Sequence, residues 1–182
     1  MGGGNFYVVV EAVDEGGPSV AQGAKEWVVS VPMKPKLLAT MKSTNYLLNA
    51  LVAMESEDKG GIQGILVDSE GNVAETAIGN VSVVDRDGVL RTPPFDDILA
   101  GTTTKRAFAL APRLVKDGLL SGIVVSPIPA AALPLSREVM VMGGGKIYSV
   151  VEVDGNPVGG GSAGEEVPDP GPVFLALKEL LS

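Results

Sequence analysis

The chain has 182 residues, 45% of them hydrophobic and 20% charged, a balance that suits one large domain with its own buried core. Its 14 basic and 22 acidic residues leave a formal charge of −8, which repels phosphate backbones and argues against nucleic acid as a partner. Cysteine and histidine are both absent. Disulfides, thiol chemistry, imidazole acid–base catalysis and cysteine-ligated zinc are therefore excluded, no metal site is expected, and any catalysis falls to Lys, Tyr, Asp, Glu or a bound cofactor.

In chain order, Phe6 to Val13 is β-rich and begins abruptly, as though the chain were cut at its start. A loop of Gly, Pro and Ser follows to Gly23, then a second strand from Glu26 to Val31, stopped by Pro32. Met33 to Leu38 reads as a connector. From Thr44 to Lys59 the apolar residues Leu47, Leu48, Leu51, Val52 and Met54 recur at helical spacing, and Gly60-Gly61 closes the helix. Gly64 to Val67 and Asn72 to Glu75 form a hairpin about an Asp-Ser-Glu-Gly turn, and Asn80 to Asp85 with Val89 to Thr92 form another about Asp87-Gly88. A helix is expected from about Lys105 to Asp117, a strand from Gly122 to Pro127 and a loop from Pro129 to Ser136. Strands at Glu138 to Met142 and Ile147 to Val153 flank Gly143-Gly144-Gly145, and a Gly- and Pro-rich connector leads to a terminal helix, Pro172 to Leu181. Strands outnumber helices and the hairpins are short, so the fold class is α/β of the α+β kind, with a barrel-like, mostly antiparallel sheet and flanking helices. No apolar run approaches the ~18 residues that span a bilayer, so no membrane partner is expected. The opening Met-Gly-Gly-Gly-Asn is not a targeting segment.

Three places can carry chemistry. Lys42 stands where an extended segment meets a helix, with Tyr46 one turn on. Partial desolvation there would lower an amine's pKa and favour Schiff-base formation, although position alone also fits a solvated surface lysine. Glu75 ends an apolar strand, where a carboxylate can pair with a cationic ring nitrogen or simply be solvated. Gly101-Thr102-Thr103-Thr104 offers free N–H groups, hydroxyls and a positive dipole end, suited to a phosphate or to ordinary capping. The triple glycine at 143–145 is a weaker candidate for a second anion-binding turn.

The stretches MKSTNYLLNALVAMESEDKGG, GILVDSEGNVAETAIGNVSVVDRDGVL and RTPPFDDILAGTTTKRA in series, with EVMVMGGGKIYSVVEVDGNPVGGG after them, resemble the fold-type IV pyridoxal-phosphate enzymes. That family holds the branched-chain and D-amino-acid aminotransferases and the aminodeoxychorismate lyases, and the chain looks most like the plant D-amino-acid aminotransferase-like branch. The resemblance runs from about Phe6 to Leu181. It implies residues 29–182 as the large, cofactor-binding domain and 1–28 as a remnant of an N-terminal domain with interdomain strands.

By the same resemblance, Lys42 is the catalytic lysine that forms the internal aldimine with pyridoxal 5'-phosphate. Tyr46 faces the cofactor's phenolic oxygen, Glu75 pairs with the pyridine nitrogen and Leu99 packs on the ring. Thr102 and Thr103 bind phosphate, with Gly143 and Gly144 near the phosphate or the substrate carboxylate. The implied reaction is amino-group transfer between an amino acid and a 2-oxo acid. The alternatives are elimination of pyruvate, as in the lyases, and a truncated cofactor-binding paralogue with little catalysis. A homodimer is implied, in the cytoplasm or a plastid. The family's phosphate-binding arginine has no counterpart by motif here, and the glycine turn lacks the Ser or Thr that relatives carry.

Overall fold

The computed structural model describes residues 23–161 and 169–182. The strand expected at Phe6 to Val13 lies outside the described residues. The described elements are strand β1 (Ala24–Glu26), the single turn α1 (Lys36–Ala39), α2 (Leu47–Glu57), and strands β2 (Ile65–Val67), β3 (Val73–Thr76), β4 (Asn80–Val84) and β5 (Val89–Thr92). After them come α3 (Thr102–Leu110), α4 (Pro112–Lys116), β6 (Gly122–Val125), a 3-10 turn (Ala130–Ala132), β7 (Glu138–Gly143), β8 (Lys146–Val153), β9 (Asn156–Pro157) and α5 (Pro172–Leu181).

The nine described strands belong to one sheet, whose main path runs β1-β8-β7-β4-β3-β2. The β1–β8 and β5–β6 pairs are parallel and the others antiparallel. One edge of β4 is fully used by β7, while its other edge serves β3 at Asn80 and β5 at Val83 and Val84. Just past β1, Ile65 donates to the Trp27 carbonyl at 2.8 Å and Val29 donates to the Ile65 carbonyl at 3.1 Å. These bonds return the path to its first strand, so the sheet curls into a barrel-like surface. They also tie the described part of residues 1–28 into this sheet.

The strands alternate between two buried faces. On β7, Val139 and Val141 point into the barrel interior with Ile65, Val81, Val83 and Val150. Met140 and Met142 point the other way, into a layer with Ala107, Leu114, Phe174 and Leu177 of α3, α4 and α5. A period-two strand with apolar residues on both faces is what a sheet covered on both sides requires. Within the barrel wall, the buried Glu26 carboxylate accepts from Gly64 N at 2.8 Å, Gln63 N at 3.0 Å and Tyr148 Oη at 2.9 Å. Burial beside that carboxylate pushes the Tyr148 phenol far above its ordinary pKa.

Three expectations are corrected. The strand expected from Glu26 to Val31 runs instead from Ala24 to Glu26, with an isolated bridge at Val28. The helix placed at about Lys105 begins at Thr102 and is divided in two at Ala111-Pro112, because proline cannot donate to the preceding turn. The apolar stripe on α2 is split: Leu47, Leu51 and Met54 are exposed, whereas Val52 is buried on one face with Asn49 and Ser56. Asn49 Nδ2 bonds the Ala77 carbonyl, and Ser56 Oγ donates to Glu26 at 3.3 Å. Apolar packing of Val52 against Leu66, Ala74 and Ile98 and these two buried hydrogen bonds together fix the inward face of the helix.

Candidate active site

A cavity of about 730 Å³ opens between α1, the start of α2, the β3–β4 turn, the start of α3 and the β7–β8 turn. Each of the eight residues singled out from the sequence lines it: Lys42, Tyr46, Glu75, Leu99, Thr102, Thr103, Gly143 and Gly144. They come from four segments far apart in the chain, and the fold brings them around one cavity.

Glu75 is the most buried charge of the group. On the fully buried strand β3, its side chain is 6% exposed. Its Oε2 accepts the Leu99 N–H at 3.2 Å. Its Oε1 accepts from the ammonium of Lys34, Nζ at 2.9 Å, a side chain only 18% exposed. In the sequence Lys34 reads as part of a connector. Its only local signal is a cation between two near prolines, Pro32 and Pro35, on an extended segment before Lys42.

Lys42 lines the cavity at an exposed rim, which corrects the expectation of partial desolvation. The cavity is open on that side: Leu38, Met41, Tyr46 and Ile78 also line it while remaining exposed. Lys42 Nζ lies 5.5 Å from the centroid of the Tyr46 ring, close enough for a cation–π contact. Tyr46 itself is the N-cap residue of α2.

The α3 N-terminus meets the cavity at Thr102 and Thr103. Gly101 is the cap residue and offers no side chain. The first-turn N–H groups of a helix have no carbonyl behind them, so this wall presents donors at the positive end of a dipole. Asn80 fixes the approach to it. Its Nδ2 donates to the Leu99 carbonyl at 2.8 Å and its Oδ1 accepts from Thr104 Oγ1 at 2.9 Å.

The triple glycine is explained by backbone geometry. Gly144 and Gly145 carry φ of 58° and 78° and make the two-residue turn of the β7–β8 hairpin. A Cβ at Gly143 would strike the Ile78 carbonyl. The Gly145 N–H is already given to Thr103 Oγ1 at 2.9 Å, which leaves Gly143 and Gly144 at the cavity. Asn49, Thr76, Gly79 and Asn80 also line it. Thr76 and Gly79 bond each other across the β3–β4 turn, whereas the partners of Asn49 and Asn80 lie farther along the chain.

The Amino-transferase class IV family model matches residues 2–153. The D-amino-acid transaminase, chloroplastic, of Arabidopsis thaliana is 38% identical over 161 residues, covering 87% of this chain and 41% of that protein. Among solved structures, the branched-chain aminotransferase of Thermoproteus uzoniensis with norvaline superposes with a TM-score of 0.75 at 27% identity, over 88% of this chain and 50% of that one. The branched-chain amino acid aminotransferase from Escherichia coli gives 0.71 at 32% identity, over 87% and 51%. The chain thus spans about half the length, or less, of the relatives it matches.

Proposed function

The chain belongs to the class IV aminotransferase family, and from that premise we propose that it holds pyridoxal 5'-phosphate and transfers an amino group between an amino acid and a 2-oxo acid. The observation that carries this reading is the convergence of an amine, a buried carboxylate and a helix N-terminus on one cavity of about 730 Å³. These are the three kinds of group that the aldehyde, the ring nitrogen and the phosphate of that cofactor call for, so the residues present fit it.

Lys42 supplies the amine that holds the cofactor covalently, and its Nζ, once free, takes and returns the proton at the substrate α-carbon. Glu75 would pair with the ring nitrogen and hold its proton, and the bond from the Leu99 N–H fixes the carboxylate's orientation. Leu99 would pack on the ring, Thr102 and Thr103 would donate to the phosphate, and Gly143 and Gly144 would allow close backbone approach. Tyr46 borders the cavity beside Lys42 and can donate its phenol hydrogen to a ring oxygen. The bound cofactor supplies the electron sink that makes loss of the α-proton feasible.

Self-association into a homodimer belongs to the same reading. Leu37 of α1 and Leu47, Leu51 and Met54 of α2 are exposed, as is Ile78 at the cavity, and an apolar surface of that kind marks an interaction face. Among the described residues no helix is long and apolar enough to cross a membrane.

The test is an absorbance titration of the purified chain with pyridoxal phosphate. A protein-bound band that Lys42→Ala abolishes is the expected result, and a chain that stays colourless with excess cofactor refutes the reading. Keto-acid release from D-alanine, a branched-chain amino acid or aminodeoxychorismate then identifies the substrate and separates transfer from pyruvate elimination.

A further inference from the structure

The cavity contains two lysines, and only one of them is used by the reading above. Lys34 is the more enclosed. Its side chain lines the cavity wall and its ammonium sits 2.9 Å from Glu75 Oε1, with both side chains largely removed from solvent. The remaining Glu75 oxygen accepts the Leu99 N–H, so each oxygen of the carboxylate is already occupied by a donor from this chain. A carboxylate this buried is costly without a cation beside it, and Lys34 supplies that cation.

Resting on the cofactor-binding reading, we propose that Lys34 is a built-in counter-cation for Glu75, occupying the place that a protonated pyridine nitrogen takes on binding. The pair has two consequences. It holds Glu75 in position when no ligand is bound. It also competes with the ring nitrogen for the same oxygen, so that only the fraction of molecules in which Lys34 has let go of Oε1 is ready to bind, and apparent affinity is reduced by that fraction. Release of Oε1 needs no strand to open, because Lys34 lies between Pro32 and Pro35 outside any strand and reaches Glu75 through its side chain.

The experiment compares wild type, Lys34→Met, Glu75→Gln and the double variant, full length. Two quantities are read: the thermal midpoint of the cofactor-free protein and the Kd for pyridoxal phosphate from the absorbance titration. Lys34→Met should lower the cofactor-free midpoint, by stranding Glu75, and should tighten pyridoxal phosphate binding by on the order of tenfold, the gain expected if the pair is closed in about nine molecules of ten. Neither effect should persist in the Glu75→Gln background. An analogue with carbon in place of the ring nitrogen should show no tightening in Lys34→Met, since it does not compete for Oε1. Should Lys34→Met not fold, Lys34→Arg retains the charge and, by forking onto both oxygens, should weaken cofactor binding several-fold. Weaker binding in Lys34→Met, or equal Kd values in wild type and every Lys34 variant, overturns the proposal. A wild-type chain that takes up no pyridoxal phosphate overturns the functional reading itself, whereas uptake with indifferent Lys34 variants overturns this proposal alone.

Discussion

Asn80 holds the Leu99 carbonyl at 2.8 Å through its side-chain amide, and this bond sets where the segment before α3 enters the cavity. The same side chain receives the Thr104 hydroxyl at 2.9 Å, so one residue of β4 positions both Leu99 and the helix N-terminus. Both Asn80 and Thr104 are buried, so neither can exchange its partner for water. Asn80→Leu, which keeps the volume and removes the amide, should destabilise the fold by about 1–3 kcal/mol and weaken pyridoxal phosphate binding with Lys42 intact. Thermal melts and the cofactor titration check the two effects separately.

Gly101 is the next point of tension. A Cβ there would overlap the side-chain oxygen of Asn80, while the backbone angles of −60° and 132° are open to any residue. Only space demands a glycine. Gly101→Ala should therefore cost about 1–3 kcal/mol through overpacking, and Asn80→Ala in the same chain should recover part of that loss. A double-mutant cycle on denaturation midpoints measures the recovery, and strict additivity would show that the two residues do not meet.

At the far end of the chain, Glu138 caps α5, accepting the Val173 and Phe174 N–H groups at 2.9 and 2.7 Å. Glu138→Ala leaves both donors buried and unmatched, and should cost about 1–3 kcal/mol with loss of α5 docking, visible as faster amide exchange at Leu177 and Leu181. Burial pushes the Glu138 carboxyl above its ordinary value, against the downward pull of those two N–H groups. A raised carboxyl pKa means that the folded state binds the proton more tightly. This contribution to stability is therefore full below about pH 4.3, the ordinary glutamate value, and is lost as pH rises through the folded value. Wild type should lose stability relative to Glu138→Gln as pH rises above the ordinary glutamate value of about 4.3, which denaturation midpoints measured against pH would record.

Glu55 on α2 behaves in the opposite sense. The Ser30 N–H, with the Lys59 ammonium second, holds its carboxyl down at about 2, through bonds of 2.9 Å from Ser30 N and 3.0 Å from Lys59 Nζ. A depressed carboxyl pKa stabilises the fold above the unfolded value and loses that contribution as pH falls toward the folded one. Between about pH 4.3 and 2 the clamp between α2 and the segment leading to Lys34 should loosen. In acid-unfolding curves, Glu55→Gln should flatten the stability profile over that interval and leave its slope unchanged above about pH 5.

Local chemistry in the sequence determined the elements and the kinds of group at the site. Val-Met alternation marked β7, the Asp87-Gly88 turn marked the β4–β5 hairpin, and Pro172 with the run to Leu181 marked α5 from end to end. The motifs around Lys42, Glu75 and Thr102 also named side chains that line the cavity. Only the tertiary structure decided what those side chains do to one another. Lys34 and Glu75 are 41 residues apart, and their pairing exists because the fold brings the Pro32–Pro35 segment against the buried strand β3. The inward face of α2 likewise turned on partners from elsewhere in the chain: Val52 packs with Leu66, Ala74 and Ile98, Asn49 and Ser56 find acceptors at Ala77 and Glu26, and Leu47, Leu51 and Met54 stay exposed. Periodicity records which residues share a face, but burial and hydrogen-bond partners, contributed by distant strands, select the face that turns inward.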